Sequence, residues 1–145
     1  MTGTARHSVS VAAVIVGDED QVLLIRRRDN GHWEPPGGVL ELDESIEDGL
    51  RREVREEIGA DVYVVGLTGV YKNMAQGIVA LVFRCSLQSA PARASTEAAS
   101  VEWKSVSDVH TLMADAFAVR VLDALDAAAR PHVRAHDGTH VMSFD

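Results

Sequence analysis

Hydrophobic and polar positions alternate along much of the chain with a period of two. Residues 8–16 begin with this alternation and then become fully apolar, and further segments with the pattern of a strand occupy residues 22–28, 62–72, 77–87 and 101–106. Runs of this length that are rich in valine, leucine and isoleucine predict β-strands. The run at 77–87 is apolar on both faces, so we expect it to lie in the middle of a sheet.

Two longer segments have the period of an α-helix. The first begins at Asp43 or Glu44 and ends at Ile58, where Gly59 is a typical C-terminal cap. The second covers residues 116–129, with its apolar positions on one face. Strands combined with helices on either side of a mixed sheet predict an α/β sandwich.

Turns and loops separate these elements. The polar residues 17–21 predict a hairpin turn between the first two strands. Residues 28–38 predict a loop, because they include two prolines, which cannot donate backbone hydrogen bonds. We expect one domain over residues 1–130 and a tail over residues 131–145. Asp137-Gly138 favours a hairpin turn in the tail, and an extra strand pair, a dimer contact and disorder all remain alternatives.

The composition indicates a globular protein of one domain. The chain has 145 residues, of which 46% are hydrophobic and 25% are charged, a balance typical of soluble domains. The formal net charge of −8 argues against broad binding to nucleic acid. Cys85 is the only cysteine, and no apolar run is long enough for a signal core or a membrane span. We therefore expect a cytoplasmic protein, with its six histidines at the surface.

The first predicted helix carries glutamates whose orientation decides their role. At about 100° per residue, Ile46, Leu50, Val54 and Ile58 form one apolar stripe, which we expect to be buried. Glu57 projects at about 20° from Ile46 on the same geometry. Its side chain is therefore predicted to lie inside the buried stripe.

Two further glutamates lie close to Glu57 on this helix. Glu53 falls at the border of the stripe and Glu56 lies beside Glu53. The i, i+3 and i+4 spacing allows all three side chains to reach one point. Carboxylates crowded at the edge of a core either take up protons or gather cations, and Mg²⁺ prefers oxygen ligands. The alternative is a helix whose glutamates form ion pairs with arginines four residues away.

The segment from Gly38 to Ala60 resembles the signature of the Nudix hydrolases. In that signature a glycine is followed after five positions by glutamate. After seven more come Arg-Glu, an aliphatic residue, any residue, Glu-Glu, any residue, glycine and an aliphatic residue. The matching positions here are Gly38, Glu44, Arg52, Glu53, Val54, Glu56, Glu57, Gly59 and Ala60. The resemblance implies the α/β/α sandwich of that family, with a central mixed sheet.

The resemblance also implies a metal site. Glu53, Glu56 and Glu57 would bind Mg²⁺ or Mn²⁺, together with a backbone carbonyl of Gly37 or Gly38. An oxygen-only set of this kind suits a hard divalent cation.

Three other residues receive supporting roles from the same resemblance. Arg52 would orient Glu53, and Glu44 would help to hold the segment in shape. Glu97 is a further candidate for a metal ligand or general base, with a solvated loop residue as the alternative.

The implied activity is hydrolysis of a nucleoside diphosphate linked to another group. The partner would be a small-molecule nucleotide, and homodimers are common in the family. Arg27 could contact substrate phosphates, and Trp33 and Tyr71 could stack on a base, with a solvated strand end and core packing as the alternatives. A non-catalytic module that binds a nucleotide in the same fold is the contrasting hypothesis.

Overall fold

The computed structural model describes residues 3–90, 98–126 and 130–143. The elements, in chain order, are β1 Ser8–Val16, β2 Gln21–Arg27, β3 Trp33–Glu34, β4 Gly37–Val39, α1 Ile46–Ile58, β5 Val62–Asn73, β6 Ile78–Leu87, β7 Ala98–Ser105, a 3₁₀ turn at Val106–Asp108, α2 Val109–Leu112, α3 Asp115–Leu125, β8 His132–His136 and β9 Val141–Met142. Residues 127–129, where the second predicted helix was expected to end, lie outside the described residues.

The nine described strands belong to one mixed sheet. Its main path is β3-β2-β1-β6-β5-β8-β9, while β4 pairs with β1 and β7 pairs with β2. The β1–β6 and β5–β8 pairs are parallel, and the remaining pairs are antiparallel. β6 lies between β1 and β5, which confirms the central position expected from its two apolar faces.

Helices cover both faces of this sheet. On one face, Leu50, Val54 and Ile58 of α1 pack into an apolar cluster with β1, β2, β5 and β6. On the other face, Val121 and Ala124 of α3 pack into a second cluster with the same four strands. This arrangement confirms the predicted α/β/α sandwich with a central mixed sheet.

The segment predicted as a loop contains two short strands. Trp33 and Glu34 form β3 against β2, and β4 pairs with residues 10–12 of β1. Of the two prolines between them, Pro36 lacks only a donor, because its carbonyl still accepts a hydrogen bond from Ala13 N at 2.8 Å. The loop prediction was wrong at these strands because it considered only the N–H that proline lacks and not the carbonyl that it keeps.

Helix α1 begins later than its periodicity indicated. The side chain of Ser45 accepts a hydrogen bond from Asp48 N at 3.2 Å and caps the helix, so the first helical residue is Ile46. The prediction of a start at Asp43 or Glu44 was therefore wrong by two or three residues. The expected burial of Ile46 was also wrong, since it is 44% exposed and α1 meets the sheet only from its second turn onward.

The tail continues the sheet through residues 132–142. β8 runs parallel to β5, and β8 and β9 form an antiparallel hairpin whose turn is closed by Asp137 N donating to His140 O at 3.2 Å. An added strand pair, one of the three alternatives, therefore describes this part of the chain. The expectation of surface histidines was wrong for His136, which is buried because Phe117 and Arg120 of α3 pack against it.

Helix length bears on membrane association. The longest described helix is α1, with 13 residues. An apolar helix needs about 20 residues to cross a bilayer. Within the described ranges, no helix is therefore long and apolar enough to span a membrane.

Candidate active site

The candidate site is built on α1, which is well fixed at its C-terminal end. Gly59 adopts a left-handed conformation with φ of 65°, and its N–H donates to Arg55 O at 2.9 Å. The buried residues of the helix are Gly49, Leu50, Glu53, Val54, Glu57 and Ile58. Two glutamates thus belong to the buried face, as the helical geometry indicated.

Glu57 joins the helix to strand β4. Glu57 is 3% exposed, and its Oε1 accepts a hydrogen bond from Gly37 N at 2.8 Å. A backbone donor on a carboxylate stabilises the ionised form and fixes its direction. The Glu57 carboxylate is therefore held beside the Gly37-Gly38 backbone.

Glu53 lies against the next residue of the same strand. A Cβ atom placed on Gly38 would lie 2.5 Å from the carboxyl carbon of Glu53 and 2.5 Å from its Oε2. No side chain larger than hydrogen fits there without displacing the carboxylate. Glycine at position 38 thus allows the acidic group to approach the backbone closely.

Arg52 connects three of the glutamates through one guanidinium group. Its Nε and Nη2 donate to Glu44 at 2.8 and 2.7 Å, and its Nη1 donates to Glu53 at 3.0 Å and Glu56 at 3.2 Å. Its Nη2 also donates to the carbonyl of Val39 at 3.2 Å. The interpretation of ion pairs four residues apart is therefore correct for Arg52 and Glu56, and the contacts with Glu44 and Glu53 give Arg52 an orienting geometry.

The network lowers the pKa of Glu44. Two hydrogen bonds from Arg52, followed by one from the backbone N–H of Glu41, lower the pKa of Glu44 from 4.5 to about 2. A carboxyl whose pKa is lower in the folded state stabilises the protein at pH values above its unfolded pKa. That contribution is lost as the pH falls from about 4.5 towards 2.

A Glu44→Gln variant is expected to show a weaker loss of stability in acid. The wild-type free energy of unfolding should fall between pH 4.5 and 2 more steeply than that of the variant, because only the wild type must protonate Glu44. Urea unfolding at a series of pH values measures both slopes. Glu47→Gln is the control, since Glu47 is exposed and lies 3.7 Å from Arg51. If the unfolding free energies of the wild type and Glu44→Gln changed with pH in parallel, the lowered pKa of Glu44 would be contradicted.

The donor set can be compared with the needs of a divalent cation. Within the described ranges, no three carboxylate, imidazole or thiol groups form a closed ligand cluster. Glu53 and Glu57 nevertheless present oxygens on the buried side of α1, next to a glycine backbone that a Cβ would block. Glu56 is 55% exposed at its side chain and can turn towards them from Arg52. These residues fit a hard, oxygen-binding ion.

Two adjoining cavities lie near the candidate site, and the smaller one borders β4. The smaller, of about 370 Å³, has Gly37, Gly38 and Arg120 among its wall residues. The larger, of about 570 Å³, includes Trp33. The two cavities share wall residues Arg27, Glu34 and Phe117. A substrate with its reacting group at β4 therefore has room for its remaining part.

Two of the predicted substrate-binding residues lie at these cavities. Arg27 borders both, but its guanidinium already donates to Asp29 at 2.7 and 2.8 Å and to Glu34 at 3.0 Å. Trp33 borders the larger cavity, and Lys104 Nζ lies 4.4 Å from its ring centre. Both residues can reach a ligand in the cavities.

The third predicted residue, Tyr71, is in the core. Its side chain is fully buried, and its hydroxyl donates to Asp123 Oδ2 at 2.7 Å. Burial raises the pKa of Tyr71 well above its usual value. Asp123 also accepts two hydrogen bonds from Arg134, at 2.7 and 2.8 Å. The stacking prediction was therefore wrong for Tyr71, whose ring has no open face for a base.

Sequence reasoning missed two residues near the cavities, and one prediction falls outside the structure. Arg120 and Phe117 line the smaller cavity from α3. The amphipathic pattern of α3 marked Phe117 only as apolar, and nothing in it indicated the surroundings of Arg120. Glu97 lies outside the described residues, so its role as ligand or base stays a prediction.

Comparisons with known proteins agree with this architecture. A model of the NUDIX domain matches residues 6–125. A MutT-like protein of Streptomyces ambofaciens is 55% identical over 141 residues, which cover 97% of this chain and 91% of that one. An ADP-ribose pyrophosphatase of Methanocaldococcus jannaschii is 28% identical over 116 residues, covering 75% and 69%. A solved NUDIX hydrolase from Nitrosomonas europaea has a TM-score of 0.76 at 21% identity, covering 92% and 82%.

These matches include the segment from which the site is built. The matched NUDIX domain contains all of α1 and β4, and the similarity to the S. ambofaciens protein extends over nearly the whole chain. The likeness to the solved structure independently supports the fold. The chain therefore belongs to the Nudix hydrolase family.

Proposed function

We propose that this hydrolase cleaves a phosphoric anhydride in a nucleoside diphosphate linked to another group, and that it needs a divalent metal ion. The position of Glu53 and Glu57 supports the proposal. Both carboxylates are nearly excluded from solvent and lie against the Gly37-Gly38 backbone. Neighbouring buried carboxylates are unfavourable unless cations balance their charge, and an anhydride substrate needs the same cations.

Glu53, Glu56 and Glu57 would hold Mg²⁺ or Mn²⁺, with the carbonyl of Gly37 or Gly38. A bound ion of this kind neutralises phosphate charge and lowers the pKa of water. The rigid helix supplies the three carboxylates at i, i+3 and i+4. A chain with a net charge of −8 can then accept a negatively charged substrate.

Other residues of the network act by orientation. Arg52 positions Glu53 through the 3.0 Å hydrogen bond from its Nη1, and Glu44 fixes the guanidinium by two further bonds. A planar guanidinium held in this bidentate way cannot rotate freely. We keep Glu97 as a candidate general base or ligand.

The contrasting hypothesis is a module that binds a nucleotide without cleaving it. Such modules usually lack some of the metal-binding glutamates, whereas Glu53, Glu56 and Glu57 are all present here. This observation favours the enzyme. Processing of RNA ends is less favoured, because the chain has a net charge of −8 and its longest basic run is the three arginines at 26–28.

A nucleotide panel tests the proposal. We expect purified protein to release phosphate-containing products from at least one nucleoside diphosphate derivative or nucleoside triphosphate with Mg²⁺ or Mn²⁺, and to lose this activity in excess EDTA. Product identity by chromatography and mass shows which anhydride breaks. Binding of a nucleotide without turnover under any metal condition would favour the non-catalytic module.

The setting of the reaction is also part of the proposal. We expect a small-molecule nucleotide as the substrate, no nucleic-acid or membrane partner and a cytoplasmic location, with a monomer and a homodimer as the alternative oligomeric states. Sedimentation velocity of the purified chain measures the oligomeric state.

A further inference from the structure

Arg120 has unusual surroundings in the smaller cavity. Its guanidinium carbon lies 4.9 Å from the ring centre of Phe117 and 5.2 Å from that of Tyr71. Its Nε is buried and has no hydrogen-bond partner in the part of the chain that the structure describes. Burial lowers the pKa of Arg120 to about 10, so the group remains charged at neutral pH. A buried donor without an acceptor is costly.

The neighbouring His136 supplies no acceptor for the guanidinium group either. His136 Nδ1 accepts a hydrogen bond from Gly138 N at 3.0 Å, so Nδ1 carries no proton. Burial, followed by the charge of Arg120, lowers the pKa of His136, so the ring is neutral and its single proton is on Nε2. That Nε2 lies 3.2 Å from Nη2 of Arg120, which can only donate. Two donors therefore face each other.

We propose that Arg120 is a substrate-recognition residue that binds an acceptor oxygen of the nucleotide. The inference rests on the proposed function, because it assumes a nucleotide in the cavity that Arg120 shares with Gly37 and Gly38. A ligand whose anhydride lies at β4 extends along this cavity towards α3. An acceptor oxygen that reaches the guanidinium group from the cavity gives Nη2 the acceptor that the protonated Nε2 of His136 does not provide.

A nucleotide offers such an oxygen in two places. One is the keto edge of a base such as guanine, whose O6 and N7 match the fork of an arginine. The other is a phosphate oxygen, which also binds guanidinium groups. Adenine presents an amino donor on the same edge. GMP, AMP and pyrophosphate therefore separate the two sources.

The test is the dissociation constant of GMP, AMP and pyrophosphate, measured by calorimetry without divalent metal for the wild type and Arg120→Met. We expect Arg120→Met to weaken binding of at least one probe by about tenfold, the typical effect of losing a hydrogen bond to a charged group. Weakening for GMP alone assigns the keto edge. Weakening for all three assigns the phosphate.

The controls separate recognition from folding. Arg55→Met removes an exposed arginine of α1 and should leave all three dissociation constants unchanged. Arg120→Met should keep or raise the melting temperature, because it removes a donor that has no acceptor. If that variant does not fold, Arg120→Lys is the second variant. It keeps the positive charge but lacks the paired donors of the guanidinium group, so it should still raise the dissociation constant of the same probes.

One result overturns the inference. Dissociation constants equal to the wild type for all three probes, in whichever Arg120 variant folds, would show that Arg120 has only a packing role. The measurement does not use turnover or metal. Weakened binding in a protein that cleaves no nucleotide would therefore leave this inference standing and contradict only the proposed function.

Discussion

Replacing Glu57 with glutamine is expected to lower kcat by roughly hundredfold or more, a loss at least as large as that for residues supporting a metal site. Glutamine retains an oxygen that can accept the hydrogen bond from Gly37 N. It lacks the negative charge that a divalent ion requires. Steady-state hydrolysis of the best nucleotide from the panel, with a thermal melt of the same sample, measures activity and folding together.

The control for this variant lies on the same helix. Glu47→Gln changes an exposed carboxylate whose side chain has 55% of its surface in solvent, and its kcat should match the wild type. A Glu57→Gln protein with a wild-type kcat would remove Glu57 from the metal site. A large drop in its melting temperature would show that the charge is needed for folding instead.

Gly38→Ala is expected to lower both kcat and the free energy of unfolding. The added methyl group would lie 2.5 Å from the carboxyl group of Glu53, and the flexible end of that side chain is the part able to move. Gly38 is outside the left-handed region, so alanine adds no backbone strain. We expect a loss of about 1–3 kcal/mol in unfolding free energy from overpacking. Urea unfolding and kcat are the two measurements.

Two other glycines make this prediction specific. Gly66→Ala should leave kcat nearly unchanged, because among the described residues no heavy atom other than those of Gly66 and its chain neighbours lies within 4 Å of the added Cβ. Gly37→Ala should destabilise more than Gly38→Ala, since its Cβ meets the backbone of Val11 and Ala12, which cannot move aside. Full activity in Gly38→Ala would mean that Glu53 does not need its position beside β4.

Local patterns predicted much of the fold. Alternating and continuous apolar runs located the five long strands, and the 3.6-residue period located α1 and the inward direction of Glu53 and Glu57. These features depend on neighbours within a few residues along the chain. The central position of β6 followed from its two apolar faces, which only a strand covered on both sides can have.

Features that depend on distant parts of the chain were not predicted. The tail pairs with β5 across about 60 residues, and this pairing buries His136. Tyr71 looked available for stacking because nothing near it in the sequence indicates its hydrogen bond to Asp123, 52 residues away. Sequence spacing indicates which residues share a face, but not which distant groups cover that face.

In the site, too, features set by neighbouring residues were predicted and features set by distant residues were not. The spacing in α1 placed the glutamates together, and the resemblance to the Nudix signature gave Arg52 and Glu44 their roles. The surroundings of Arg120 depend on α3, β5 and the tail, which meet only in the folded chain. Only the structure therefore shows that the Nε of Arg120 has no acceptor among the described residues.

The most direct test of the metal site is a crystal structure of the protein soaked in Mn²⁺, with anomalous diffraction to locate the ion. We expect a peak about 2.1 Å from carboxylate oxygens of Glu53, Glu56 and Glu57, a typical distance for small divalent ions with oxygen ligands. A carbonyl of Gly37 or Gly38 should complete the set. Manganese bound elsewhere, with these three carboxylates still held by Arg52 and the β4 backbone, would contradict the account.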